Sequence, residues 1–124
     1  MRPVKLTVYG RRPWTVNQER KKGSYHLRSE TTKWWREAFR DAANEANIPH
    51  FESIRIEVTP ILPDRKMQDT GACYPTAKAA IDGLVDAGVI TDDSPEYVPT
   101  ITFLSPVVYN EGGLEILIIP EDSQ

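Results

Sequence analysis

The sequence predicts an α+β fold in which a mixed sheet of about four strands carries two main helices on one side. Three observations support this prediction: segments of alternating hydrophobicity, two segments with helical periodicity, and their order along the chain, β-α-β-α-β-β. The 124 residues suffice for one domain, and we expect residues 1–124 to form it. With 40% hydrophobic and 27% charged residues, the composition is that of a folded domain with a packed core.

Four segments have the hydrophobic pattern of strands. Residues 4–9 and 54–59 alternate apolar and polar side chains, and we expect the second strand to continue to Leu62, with an edge or a bulge at Pro60 near its far end. Residues 98–104 and 114–119 predict the last two strands, joined through a glycine-containing turn. Because residues 114–119 are nearly all apolar, we expect this strand to lie in the centre of the sheet or to be covered on both faces.

Two segments have helical periodicity. Ser29 is typical of an N-cap and predicts a helix that runs to about residue 47. The inner face of this helix would consist of Trp35, Ala38, Phe39, Ala42, Ala43 and Ala46. The second helix begins near Pro75 and ends before Gly88, which suits the left-handed position that follows a helix. Its inner face would consist of Ala77, Ala80, Ile81, Leu84 and Val85.

The segment between the first strand and the first helix is expected to be a long basic loop. Residues 14–28 carry much charge and no apolar period, and loops of this length in small domains are usually functional or disordered. Trp14 follows Arg11 and Arg12 closely and is the candidate for stacking on a nucleobase. The polar residues 121–124 are expected to form a frayed tail.

Composition excludes several classes of protein. The single cysteine, Cys73, excludes an internal disulfide and a zinc site of the multi-cysteine kind. No apolar run approaches the roughly 20 residues that a membrane-spanning helix needs. The start of the sequence lacks the apolar stretch of a signal peptide, so we expect a cytoplasmic location and no membrane partner.

The net charge of −3 conceals a strong asymmetry along the chain. Residues 1–40 contain eleven Lys and Arg against three Glu, a formal charge of +8, whereas residues 41–124 carry −11. A basic half and an acidic half suit two different partners, such as a polyanion and a cation. The alternative, a chance gradient of solvated surface charge, carries equal weight at this point.

Acidic residues concentrate around the second predicted helix. Lys78 and Asp82 are four residues apart and share a helix face, Asp69 precedes the helix, and Asp92 and Asp93 follow it. Carboxylate clusters of this kind hold Mg²⁺ or Mn²⁺, and such ions catalyse phosphodiester hydrolysis. The alternative is a simple turn after the helix and a surface ion pair between Lys78 and Asp82. The residues alone leave both interpretations open.

The segment from Lys78 to Asp93, KAAIDGLVDAGVITDD, resembles the signature of the RusA-type Holliday junction resolvases. That family shows a Lys, three residues, Asp-Ala/Gly-Leu, and then an Ala-Gly and an Asp-Asp pair at this separation. Pro13 with Asn17, and the basic residues 20–23, also fall where the family has their counterparts. The resemblance therefore extends over most of the chain.

The resemblance implies a homodimeric endonuclease that resolves branched DNA with Mg²⁺ or Mn²⁺ during recombination or replication in a bacterial or phage-infected cell. It implies catalytic roles for Lys78, Asp69 and Asp93, with Asp82 either orienting Lys78 or binding the water shell of the first metal ion. The implied metal ligands are Asp69, Asp92 and Asp93. The residues implied to contact DNA are Arg11, Arg12, Asn17, Arg20, Lys21, Lys22 and Arg28.

The chain departs from the family pattern just before Lys78. The family has an Asp-x-Asp-Asn motif there, whereas this chain has Asp69 followed by Thr70-Gly71, and Asp64 is the alternative source of the second carboxylate. Two other functions therefore stay open. The same fold could bind junctions or another protein with weakened or lost cleavage, or the chain could be a small interaction domain without a role on DNA.

Overall fold

The computed structural model of the chain describes residues 2–21, 23 and 25–121. Within these ranges the strands are β1 (Val4–Tyr9), β2 (Ile54–Leu62), β3 (Thr100–Phe103), β4 (Val107–Val108) and β5 (Gly113–Pro120). The helices are α1 (Val16–Glu19), α2 (Tyr25–Glu45) and α3 (Tyr74–Asp86). None of these helices combines the length and the apolar character needed to cross a bilayer.

The strands form one mixed sheet in the order β1-β5-β2-β3, and β4 also pairs with β2. β5 runs antiparallel to both of its neighbours, so that Ile116 pairs with Leu6 on one side and with Val58 on the other. β3 and β4 follow each other along β2, both parallel to it. The predicted α+β class, the mixed sheet and the central position of residues 114–119 are confirmed.

One face of the sheet packs beneath the helices. Because side chains alternate between the two faces of a strand, β2 and β5 each bury every second residue. The buried residues are Ile54, Ile56 and Val58 in β2 and Leu114, Ile116 and Ile118 in β5. They share a core with Trp35 and Phe39 of α2 and with Ile81 and Leu84 of α3. Burial of each such side chain contributes about 1.5–3 kcal/mol, and together they fix both helices on the sheet.

α2 and α3 approach each other closely because Gly83 has no side chain. A Cβ atom at this position would lie 2.3 Å from the carbonyl oxygen of Arg36 and 2.9 Å from the amide nitrogen of Arg40. The Arg36 guanidinium also donates two hydrogen bonds to Asp86, at 2.6 and 2.9 Å. These contacts hold α3, the helix that carries Lys78, in a fixed position against α2.

The predicted start of the long helix is wrong. α2 begins at Tyr25, four residues before the predicted N-cap Ser29. Because Tyr25, His26 and Leu27 are all exposed, the first turn has no apolar period that would mark it as helical. Along the predicted inner face Trp35, Phe39 and Ala43 are buried, whereas Ala46 lies beyond the helix end and is exposed.

The predicted loop over residues 14–28 contains the short helix α1. Thr15 caps this helix: its hydroxyl accepts a hydrogen bond from the Gln18 amide at 3.4 Å, and Gln18 Oε1 accepts one from the Thr15 amide at 3.0 Å. Trp14 is only 8% exposed, and its carbonyl oxygen accepts a hydrogen bond from Thr76. The prediction that Trp14 stacks on a base is therefore wrong, because its ring is packed inside the protein.

β1 and β2 agree with their predicted ends, and β5 extends one residue beyond its predicted range at each end, but Pro60 does not mark an edge. β2 lies between β5 on one side and β3 and β4 on the other. Val58 is the last residue to pair with β3 and Ile61 the first to pair with β4. Pro60 therefore lies at a break in the parallel ladder, where a residue without an N–H group interrupts no parallel pairing.

Candidate functional site

A lysine held between two carboxylates lies on the face of α3 that is not packed against the core. Lys78 and Asp82 are one helical turn apart, and Lys78 Nζ donates a hydrogen bond to Asp82 Oδ1 at 2.8 Å. The same Nζ forms an ion pair with Asp93 Oδ2, from the segment that follows the helix. We call Lys78, Asp82 and Asp93 the lysine–carboxylate cluster.

The turn after α3 brings Asp93 back to Lys78. Gly88 adopts a φ of 79°, which favours glycine, and the next amide, that of Val89, donates to the Leu84 carbonyl oxygen at 3.0 Å. Val89 and Ile90 are then buried in the core, which anchors the chain beside the helix it has just left. Asp92 Oδ1 accepts a hydrogen bond from the Asp93 amide at 2.8 Å and fixes the backbone at the site.

The electrostatics of the cluster favour the charged forms of both ion-pair partners. Partial burial acts to lower the pKa of Lys78, but hydrogen bonds to Asp82 and Asp93 outweigh it and raise the pKa above its ordinary value. The hydrogen bond from Lys78 lowers the pKa of Asp93, against a smaller opposing effect of burial. Lys78 is thus a cation at neutral pH, suited to contact a phosphate and not to accept a proton.

A polar cleft of about 480 Å³ lies beside the N-terminal end of α3. Two contacts hold its walls together: the Val16 amide donates to the Ala72 carbonyl oxygen at 3.0 Å, and Gln68 Nε2 donates to the Pro13 carbonyl oxygen at 2.9 Å. The cleft is lined by Arg12, Thr15, Asn17, Gln18, Asp64, Lys66, Met67, Gln68, Asp69 and Ala72. α1 and the segment between β2 and α3 therefore form its two sides.

The predicted metal ligands lie at two separate places, the lysine–carboxylate cluster and the cleft. Asp92 and Asp93 lie at the lysine–carboxylate cluster, whereas Asp69 lines the cleft, together with the alternative ligand Asp64. Across residues 2–21, 23 and 25–121, no three His, Cys, Asp or Glu side chains are grouped closely enough to hold a metal ion. The predicted set of Asp69, Asp92 and Asp93 is thus not assembled as a three-ligand site.

The donors at the cluster nevertheless fit a hard divalent cation by their chemistry. Mg²⁺ prefers oxygen ligands and is commonly bound through one or two carboxylates, with water and substrate phosphates completing its coordination. Asp92 and Asp93 are adjacent carboxylates of this kind. A cation held by these two residues would depend on the substrate for its remaining ligands.

The predicted DNA-contacting residues differ in their surroundings. Arg11 and Arg12 are paired internally: Arg11 donates to both carboxylate oxygens of Glu30, at 2.9 and 3.2 Å, and Arg12 pairs with Asp64 at 3.2 Å. Arg20 and Lys21 are exposed and have no ion-pair partner among the described residues. Arg28 lies over the Tyr25 ring, Asn17 lines the cleft, and Lys22 lies outside the described residues.

Sequence reasoning missed the cleft and most of the residues that line it. Gln18, Lys66, Met67 and Gln68 carry no pattern that would mark them individually. The available indication was the Thr15-x-x-Gln18 spacing, which is that of a capping box and predicts a helix start within the presumed loop. A comparison of the sequence with models of known protein families found no match, and a search of curated proteins found no relative.

Proposed function

We propose that the chain is a structure-specific endodeoxyribonuclease that cuts branched DNA such as four-way junctions. The observation that supports this function best is the lysine–carboxylate cluster, in which Lys78 contacts both Asp82 and Asp93. These three residues belong to the segment that resembles the RusA-type resolvases. Their contact brings together a phosphate-binding cation and carboxylates at a solvent-accessible face of α3.

In this proposal each residue of the cluster has a separate task. The Lys78 ammonium group contacts the phosphate that is cut and stabilises the negative charge that develops on it. Asp82 is a positioning residue, because its hydrogen bond restricts the Lys78 side chain. Asp92 and Asp93 would hold Mg²⁺ or Mn²⁺, and Asp69 stays a predicted third ligand. When bound, the metal supplies activation of water for attack on phosphorus and neutralisation of charge on the leaving oxygen.

Arg20 and Lys21, which have no ion-pair partner in the part of the chain that the structure describes, are proposed to bind the DNA backbone together with Arg28. Arg20, Lys21 and Arg28 lie on the exposed N-terminal part of the chain, where phosphate contacts would give affinity without reading sequence. Arg11 and Arg12 already neutralise Glu30 and Asp64, so their contribution to DNA affinity is expected to be smaller. We place this activity in the cytoplasm of a bacterial or phage-infected cell, where recombination and replication form branched DNA.

A second copy of the chain is the proposed protein partner. β4 is a two-residue strand that pairs with β2 on one side, and its residues Val107 and Val108 are about half exposed. Exposed apolar edge strands readily pair with another chain, and pairing of the same strand from two copies generates a two-fold axis. Tyr9 and Tyr109 extend this apolar surface, with their ring centroids 5.3 Å apart. A homodimer would present two clusters to one junction.

The proposed function is tested with a labelled four-way junction and a linear duplex of the same sequences. We expect the protein to bind the junction more tightly than the duplex and to nick it in Mg²⁺ or Mn²⁺ but not in EDTA. Equal binding to both DNAs, with no nicks in either metal, would exclude a structure-specific nuclease.

A binding module that does not cut DNA is the second candidate. One observation favours it: the carboxylates Asp69, Asp92 and Asp93 are not grouped as a three-ligand site within the described ranges. Metal affinity falls when ligand charges are lost, so two carboxylates at the cluster would support weaker catalysis. Selective junction binding without nicks under either metal would establish this candidate in place of the nuclease.

A further inference from the structure

The cleft between α1 and the segment before α3 has the charge balance of a site for a neutral ligand. Its charged lining residues are Arg12 and Lys66 against Asp64 and Asp69, two positive and two negative side chains. The charge of Arg12 is also partly neutralised by its ion pair with Asp64 at 3.2 Å. A phosphate would gain little here, whereas a neutral polar group would meet a wall of hydrogen-bonding side chains.

Three side-chain amides give the cleft its hydrogen-bonding character. Gln18 Oε1 accepts from the Thr15 amide and hydroxyl, at 3.0 and 3.2 Å, so the group left for a ligand is the Nε2 donor. Gln68 has the opposite arrangement: its Nε2 donates to Pro13, and its Oε1 is buried with no partner among the described residues. A buried acceptor without a partner costs free energy, which a ligand donor would recover.

Asn17 adds an exposed amide to the same cleft, and its side chain has no hydrogen-bond partner within the described ranges. The lining thus presents donors from Gln18 and Asn17 and an acceptor from Asn17, and the buried Gln68 Oε1 is a second acceptor that a ligand would reach after a shift of the Gln68 side chain. This mixture of donors and acceptors matches the edge of a nucleobase, which carries both kinds of group. Met67, 58% exposed, supplies an apolar surface against which the face of a flat ring can pack.

We propose that this cleft binds one unpaired nucleobase of branched DNA, an inference that rests on the proposed function. A volume of about 480 Å³ lies within the range of roughly 300–1,000 Å³ typical of ligand pockets. The amides of Asn17 and Gln68 read the edge of the base, and Met67 packs on its face. A base pair beside a strand crossover lacks part of the stacking that holds pairs together in linear duplex and therefore opens more readily, so the cleft would contribute to selection of branched DNA.

The position of the cleft relative to the lysine–carboxylate cluster supports this inference. Ala72 lines the cleft just before α3 begins at Tyr74, and Lys78 lies four residues further along the same helix. Four residues of helix correspond to a rise of about 6 Å. Base recognition and phosphate recognition would therefore be coupled through one rigid element, whose position is fixed against α2.

The test compares junctions that carry either a base or an abasic site at one unpaired position beside the crossover. We expect the wild-type protein to bind the base-containing junction about tenfold more tightly, as stacking and edge contacts to one base provide. With 2-aminopurine at that position, binding should change its fluorescence. Asn17→Leu, a surface substitution, should reduce the tenfold preference, measured as the ratio of the two junction affinities, to less than twofold. Asn44→Leu, on the exposed face of α2, is the matched control.

Gln68→Leu should abolish the preference as Asn17→Leu does, provided that its thermal unfolding midpoint shows a folded protein. Wild-type protein that binds both junctions equally, or an Asn17→Leu variant that keeps the tenfold preference, would overturn the base site while leaving the proposed junction binding intact. Wild-type protein that binds neither junction would overturn the proposed function and the base site together.

Discussion

At the scale of the residue, Lys78 determines the chemistry of the candidate site. Lys78→Met keeps the side-chain length but leaves Asp82 and Asp93 without their cation. We expect junction cleavage to fall by about 100-fold or more, because a charge that stabilises the phosphate is lost. The Lys78 side chain is 42% exposed, so solvent screening should limit the change in unfolding free energy to less than about 1 kcal/mol. Single-turnover cleavage and urea unfolding measure the two effects separately.

The lowered pKa of Asp93 predicts how the stabilisation of the fold by the Lys78–Asp93 ion pair depends on pH. A carboxylate with a lower pKa in the folded protein stabilises it above the ordinary value of 3.8, and the contribution is lost as the pH falls through the folded pKa. Because the pKa of Lys78 is raised, its charged form stabilises the folded protein below pH 10.5. This contribution is lost as the pH rises through the pKa that Lys78 has in the folded protein. The difference in unfolding free energy between wild type and Lys78→Met should be constant from about pH 5 to 9. A difference that persists unchanged at pH 2 would contradict this assignment.

The two contacts of Lys78 differ in how far the sequence could predict them. The contact with Asp82 follows from a four-residue spacing on a helix, a local rule that requires only the helix. The contact with Asp93 depends on burial of Val89 and Ile90, which is a property of the packed core and of no local pattern. For the same reason the sequence could not place Asp69 in the cleft, since that requires knowing how the segment before α3 packs on α1.

At the scale of the element, the crossing of α2 and α3 depends on Gly83. Gly83→Ala places a Cβ atom 2.3 Å from the Arg36 carbonyl oxygen, so the two helices must separate. We expect a loss of at least about 2 kcal/mol in unfolding free energy, although alanine favours helix over glycine. Gly88→Ala is the control, because its φ of 79° imposes a backbone cost of about 1 kcal/mol while no atom outside residues 87–89 lies within 4 Å of the added methyl. Equal losses in the two variants would contradict the packing argument.

Element prediction succeeded where hydrophobic periodicity is long and failed where it is short. β1 and β2 agree with their predicted ends because each repeats an apolar–polar alternation over six residues. α1 has four residues and β4 has two, too few to show a period. The first turn of α2 has no apolar face, and its helical state follows from continuity with the buried turns that come after it.

At the scale of the whole molecule, the charge asymmetry predicts how the proposed DNA binding would respond to salt. Each phosphate contact lowers the slope of log affinity against log salt concentration by about 0.9. Because the proposed homodimer presents two copies of each residue to one junction, the double variant of Arg20→Gln and Lys21→Gln should reduce the magnitude of the slope by about 3.6. Arg11→Gln should reduce it much less, because its guanidinium is already paired with Glu30 at 2.9 Å. Fluorescence anisotropy of a labelled junction over a salt series measures all three slopes, and a larger change for Arg11→Gln would reverse the proposed assignment.

The central claim is that the lysine–carboxylate cluster is the reaction centre of a nuclease for branched DNA. Its most direct test is single-turnover cleavage of a labelled four-way junction in Mg²⁺ by wild type, Asp93→Asn and the control Asp41→Asn, which alters an exposed carboxylate on α2. We predict symmetric nicks with wild type and with Asp41→Asn, and loss of the nicks with Asp93→Asn despite unchanged junction binding. Nicking by Asp93→Asn at the wild-type rate would contradict the claim.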